Sequence, residues 1–296
     1  MISDREASNA YTAINAKFAQ LFAKPRPDVA QWVSLAGDVV NSSAITEAYP
    51  FLGATRGMRK WEGKMPAGGA NLTEGLQVRN EAFYDSLSVP KLMIKANTLG
   101  GINLGIGQLA KSAAEWPVPF IQQVIAGTSG LTGYDGNVLF HAAHKDGKTS
   151  QTNIVSGTGH TLDQIATDLA SVVVKMSTWK NDQGVQMSGY MPDTIVIPAT
   201  GAVYLAFRKL VQNNTFNLDN WSDVVKRVLV NPLMSGNTWH AVCTQQMLGA
   251  VIWQVLEAPT TGYQNEIDEP NMLYAVSAYG AFAVGDWRCA VQVTNS

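Results

Sequence analysis

The sequence holds only two cysteines, Cys243 and Cys289, in 296 residues. They form neither a disulfide framework nor a metal-ligand spacing, so the expectation is two buried thiols in a reducing compartment. Charge is scarce too: Asp, Glu, Lys and Arg make up 15% of the chain, against ~25% in an average soluble domain. Neither sign dominates, with 21 Lys plus Arg against 23 Asp plus Glu. That balance argues against a nucleic-acid binder working through a basic face. Long apolar runs are also missing. Residues 228–256 contain no Asp, Glu, Lys or Arg, but Asn, Gln, Ser, Thr and His interrupt them, whereas a membrane span needs ~20 predominantly apolar residues. This stretch reads as buried strands, and no membrane association is expected. The opening residues, MISDREASNA, lack the apolar core of a signal peptide. The sequons at Asn41 and Asn71 therefore carry no expectation of glycosylation.

Apolar residues are plentiful at 46%, enough for a sizeable core in one large or two modest domains. A large core under a weakly charged surface suggests a subunit that covers much of itself with other subunits, because obligate interfaces are depleted in charge. The plain alternative is a bland monomer.

Periodicity organises the chain. Ala7, Tyr11, Ile14, Phe18 and Phe22 recur at steps of three and four over residues 4–23, one apolar stripe on a helix that Pro25 and Pro27 end. A lone amphipathic helix before a proline break is expected to dock on something else. Residues 54–75 are basic, glycine-rich and poor in aliphatic side chains, and a strand-like run (77–85) follows. A long two-stranded excursion with a loose tip fits, since a compact domain seldom tolerates ~20 structureless residues without a use for them. Residues 103–126 form a long helical stretch that Pro117 and Pro119 should kink or split. Thr161 opens a helix over 162–176, residues 194–198 (TIVIP) read as a buried strand, and 201–211 read as a helix. From Val224 onward the density of Val, Trp and Tyr favours strands.

The chemistry-bearing motifs are weak. Gly105-x-Gly107-x-x-Ala110 has the dinucleotide spacing, but no strand precedes it, so close helix packing is the expectation. His141 and His144 sit three apart beside Asp135 and Asp146 on a turn-rich loop, where no dependable metal geometry is set. His240 and Cys243 fall on opposite faces of a presumed strand. GTSG (127–130) lacks the G-x-S-x-G spacing. No catalytic, metal or cofactor-binding residue is assigned.

Several stretches together resemble the major capsid subunit of Mu-like tailed bacteriophages. They are Val39-Val40-Asn41-Ser42-Ser43, Tyr49, Leu52-Gly53, Trp61-x-Gly63-Lys64, Asn80, Phe83, Leu99-Gly100 and Lys111-Ser112-Ala113-Ala114. Tyr134-Asp135-Gly136 follows, with Phe140 and His144 behind it. Their ordered spacing runs over about residues 39–144. One departure is Lys91-Leu-Met-Ile-Lys95-Ala-Asn97, where the family tends to be acidic, so different charge partners are expected across that subunit contact.

The resemblance implies an HK97-like α+β capsid fold: an N-terminal arm (1–50), an E-loop hairpin (54–88), a peripheral domain with a spine helix (89–160 and 270–296) and an axial domain (161–269). It implies a structural protein and no enzyme, a virion shell subunit assembled in the host bacterial cytoplasm. The implied partners are further copies in hexamers and pentamers, a scaffolding protein and portal, packaged double-stranded DNA in weak non-specific contact, and a decoration protein. Inter-subunit contact is expected from Tyr11, Ile14, Phe18 and Phe22 on the arm, and from Arg56, Arg59, Lys60, Trp61 and Lys64 on the hairpin. Two other readings compete: an encapsulin-type compartment, which would hold cargo instead of phage DNA, and a metal-dependent hydrolase centred on His141, His144 and Asp135.

Overall fold

Ser3 opens the first helix. Its hydroxyl accepts the Glu6 amide, and the Glu6 carboxylate reaches back to the Ser3 amide, a reciprocal cap that satisfies two otherwise orphaned donors. The computed structural model describes residues 2–51, 74–96, 98–146, 149–181, 184–212 and 224–295. In chain order these give α1 (Asp4–Phe22), α2 (Pro27–Val33), β1 (Val40–Asn41), β2 (Thr46–Phe51), β3 (Glu74–Arg79), β4 (Glu81–Pro90) and α3 (Lys91–Lys95). Next come α4 (Asn103–Glu115), α5 (Pro117–Ile125), β5 (His144–Asp146), β6 (Thr149–Gln151), β7 (Ile154–Ser156), α6 (Leu162–Ser177) and β8 (Thr194–Pro198). The last are α7 (Ala202–Gln212), β9 (Arg227–Asn231), β10 (Thr238–Val242), β11 (Val251–Gln264), β12 (Asn271–Val284) and β13 (Ala290–Thr294).

Two sheets carry the fold. One has the order β1-β11-β12-β4 and the other β7-β13-β10-β8-β9. In the second, Thr161 and Gln164 cap α6 reciprocally, and all of β8 is buried. Pro117 takes the first position of α5, where its missing N–H costs nothing, so α4 and α5 abut at Trp116. Trp116, Phe83, Phe120, Trp253 and Phe282 pack around that bend, with Phe120 and Phe282 stacked at 4.8 Å.

The expected detached arm is corrected by the packing of α1. Ala7, Ala10, Ile14 and Phe18 are buried in one cluster with Ile106, Leu109, Ala110 and Ala113 of α4 and with Met272, Tyr274 and Val276 of β12. Small residues on both helices allow them to approach, so the stripe is covered by its own chain. Tyr11 donates to the Thr261 carbonyl at 3.2 Å, and its ring lies 4.8 Å from Tyr263. Phe22 is half-buried and stacks on Phe18.

The hairpin boundaries also move. Among the described residues the two-stranded ladder pairs Thr46–Phe51 with Glu74–Arg79, so it begins within the expected arm, and residues 54–73 of the expected hairpin lie outside the described residues. At Asn80, whose amide donates to the Ile45 carbonyl, the chain leaves the ladder. Beyond it β4 pairs with β12 from Gly280↔Glu81 to Asn271↔Pro90, and Phe83 packs into the aromatic cluster. Phe83, Leu87 and Val89, on one face of β4, turn inward and make residues 81–90 a strand of the body. Nor do the sheets follow the expected division at 269/270. β11 pairs with β12 in a single long hairpin, while β13 pairs with β10 in the other sheet. Residues 270–296 therefore serve both sheets.

Candidate functional site

The family-like residues Ser42, Tyr49 and Asn80 converge where the two-stranded excursion meets the body. Ser42 follows β1 and donates its amide to the Val255 carbonyl of β11 at 2.9 Å. The side chain of Gln254, next along β11, is fully buried. Its Oε1 accepts the Tyr49 hydroxyl of β2 at 2.6 Å. Its Nε2 donates to the Val78 carbonyl of β3 at 3.2 Å and to Asn80 Oδ1 at 2.8 Å. Asn80 Nδ2 passes the chain of bonds on to Ser42 Oγ and the Ala44 carbonyl, at 2.7 and 2.8 Å. Glu47 closes the ring on β2 by accepting from Ser42 Oγ and from the Ser43 and Ala44 amides.

Electrostatics follow from these bonds. Donors at Ser43 and Ser42 hold the Glu47 carboxyl below its ordinary value. Burial, helped by the nearby Glu47 charge, pushes the Tyr49 hydroxyl up to about 12. Tyr49 therefore stays a neutral donor. Beneath the polar ring, Val78 joins Ile252, Ala281 and Ala283 in a small apolar cluster, with Tyr49, Leu76 and Leu248 against it.

A second set of family-like residues ties down the loop after α5. His144 is buried, with Nδ1 2.7 Å from Asp135 Oδ2 and Nε2 3.2 Å from the Leu139 carbonyl. Asp135 also accepts from Asn137 and from the Lys145 amide. Burial alone would raise its carboxyl, but the bonds from His144 and Asn137 outweigh this and hold it low. Tyr134 accepts from Trp287 Nε1 at 2.9 Å, and Asn153 binds the Leu139, Trp287 and Ala290 carbonyls.

This arrangement corrects the hydrolase reading. Both His144 nitrogens are engaged, and His141 Nδ1 accepts the Ala143 amide. Among the described residues no group of three His, Cys, Asp or Glu is placed to hold a metal ion. Gly105 lies inside α4, where an added Cβ would sit 2.7 Å from Leu87, which is the close packing the sequence suggested. Cys243 and Cys289 are buried and free, and burial raises both thiols. They are also neighbours, because the Cys243 amide donates to the Cys289 carbonyl at 2.8 Å.

Of the expected contact residues, Arg56, Arg59, Lys60, Trp61 and Lys64 lie outside the described residues. Ile14 and Phe18 are covered within the chain, and Tyr11 and Phe22 are half-buried. Sequence reasoning missed Gln254. The available signal was an amide inside the apolar run AVIWQVL, since a buried amide needs partners. Among the described residues no helix is long and apolar enough to cross a membrane.

Comparison with curated protein sequences gives no match. Among solved structures, the chain is similar to the procapsid of bacteriophage JBD30, at 16% identity and a TM-score of 0.57 over 100% of this chain and 77% of that one. It is similar to a Mycobacterium phage Bobi structure at 16% identity and TM-score 0.52, over 93% and 92% of the two chains. A virus-like particle from Pyrococcus furiosus is similar at 10% identity and TM-score 0.52, over 90% and 96%. These likenesses establish the fold, the HK97-like α+β fold of phage capsid subunits. The model of the Mu-like prophage major head subunit gpT matches residues 8–165. That is more than half of the sequence, so the chain belongs to the Mu-like major head subunit family and is a capsid structural protein, not an enzyme.

Proposed function

We propose that copies of this chain close into an icosahedral shell of hexamers and pentamers around packaged double-stranded DNA. Membership of the head subunit family carries this reading. Heterologous contacts that curve close into shells, and a chain with 15% charged residues suits extensive contact. The sheet of β1, β11, β12 and β4, with α1 and α4, forms the peripheral part. The sheet around β8 and β10, with α6 and α7, forms the axial part at each ring centre. The excursion reaches a neighbouring subunit, with Trp61 as anchor and Arg56, Arg59, Lys60 and Lys64 beside it, because large aromatics dominate interfaces. Half-buried Tyr11 and Phe22 offer further contact. A scaffolding protein and a portal take part in assembly in the host bacterial cytoplasm, and a decoration protein is a further partner. With a net charge of −2, contact with DNA is sparse, non-specific and salt-sensitive.

Electron microscopy of the protein expressed with and without its scaffolding partner tests this. Hollow particles, capsomers or tubes are expected, and a strict monomer at micromolar concentration under both conditions overturns it. Trp61→Ala should impair assembly while leaving the subunit folded. An unfolded subunit with no assembly-specific defect counts against the anchor.

A further inference from the structure

We propose that Gln254 is a positioning residue that fixes the direction in which the β2–β3 excursion leaves the subunit. β2 and β3 form their own two-stranded sheet, and among the described residues no ladder joins them to the four-stranded sheet beneath. Backbone pairing therefore does not set the angle between the two. Short links at 42–45 and Asn80 tether both strands to that sheet, and two further things act on the angle: the apolar cluster and the side-chain bonds. The cluster rests on Ile252, Ala281 and Ala283, apolar side chains whose contacts are non-directional. A hydrogen bond weakens steeply as it bends, and Gln254 makes three.

Its position makes those bonds effective. One rigid amide plane holds both limbs: Tyr49 on β2, and Val78 with the adjoining Asn80 on the β3 side. The amide cannot flip, because the Val78 carbonyl only accepts and so must face Nε2. Asn80 is oriented the same way, its Nδ2 facing the Ala44 carbonyl. A groove of about 500 Å³ separates Leu76 and Val78 from Phe120 and Leu131, leaving β3 room to swing toward the loop at 129–132. A buried Gln at this site is also costly unless all its bonds are made, so the network strongly favours one angle.

The role in assembly rests on the reading of the excursion as a tie between subunits, and the test separates the two. Gln254→Leu keeps the volume and removes the three bonds, while Tyr49→Phe and Asn80→Ala each remove one arm. Hydrogen exchange is measured on unassembled subunits, and particles are sized by electron microscopy. In Gln254→Leu, β2 and β3 amides should exchange at least tenfold faster while β10 and β13 amides keep their protection, and particles should lose their uniform size. Tyr49→Phe and Asn80→Ala should show the same pattern more weakly, and they carry the test if Gln254→Leu does not fold. Unchanged exchange in β2 and β3 overturns the role of Gln254, whatever the particles look like. Faster exchange with particles of unaltered size and yield upholds Gln254 and overturns the tie between subunits.

Discussion

The imidazole of His144 lies flat on the indole of Trp287, with ring centroids 4.4 Å apart and planes 3° from parallel. The stack joins the start of β5, after the loop that leaves α5, to the corner between β12 and β13. Asp135 holds the imidazole in that plane through its 2.7 Å bond, while the Trp287 indole is fixed in turn by Tyr134.

Asp135→Asn should therefore cost about 2 kcal/mol, because the new amide hydrogens face the Asn137 and Lys145 donors and a buried donor goes unpaired. Asp135→Ala should cost about 3–5 kcal/mol, the range for removing one partner of a buried pair. The native carboxyl is held low, so its contribution is present above the ordinary carboxylate range and is lost as pH falls through the depressed value. Denaturant unfolding near pH 7 and near pH 3 measures this. The gap between native protein and Asp135→Asn should shrink in acid, and a gap independent of pH would contradict the assignment.

The buried α1 stripe yields a prediction opposite to that for a free arm. Phe18→Ala should destabilise the unassembled subunit by about 3–5 kcal/mol, since Phe18 is buried between α4 and Tyr274. Amides of α1 should be as protected in the free subunit as in the shell. Strong protection only after assembly would show that the helix is covered by a neighbour instead.

Local signals were readable. Ser3 and Thr161 announce caps, Pro117 announces the break in the long helix, and the TIVIP run announces a buried strand. What covers each face was not, because it depends on partners remote in sequence. Tyr49 and Gln254 meet across 205 residues, and no periodicity encodes that. The α1 stripe is visible as a stripe whether α4 or another subunit covers it. The run at 77–85 was legible as strand-like, but where it divides, at Asn80, depends on which strand β4 pairs with.

Close backbone approach at Gly249 gives a sharper test of the junction between α2's exit and β11. An added Cβ there would sit 2.6 Å from the Ala36 carbonyl carbon, the Gly37 amide nitrogen and the Leu35 carbonyl oxygen. These are main-chain atoms and cannot rotate away. Gly249→Ala should cost about 2–3 kcal/mol. Thermal unfolding reads the loss, and a change within about 0.5 kcal/mol would mean that the segment at 34–37 gives way freely.

His240 is a buried titratable group in the core. It is fully buried against Phe140, at 4.2 Å between rings, and its Nδ1 has no hydrogen-bond partner. Burial pushes its pKa down from 6.5 to about 3, against a smaller opposing bond to the Ile125 backbone. A base depressed in the folded state binds its proton more readily when unfolded. Its contribution is thus complete above pH 6.5 and falls away as pH drops toward 3. Each tenfold loss of proton affinity on folding is worth about 1.4 kcal/mol, so the native subunit loses stability steadily as the unfolded chain takes up this proton. His240→Phe removes this titration, losing about 1 kcal/mol for the Ile125 bond at pH 7.5 and a further pH-independent amount for the larger ring. The stability of the native subunit should fall faster than that of the variant between pH 6.5 and 4. Parallel curves across that window would mean that the imidazole is hydrated and titrates alike in both states.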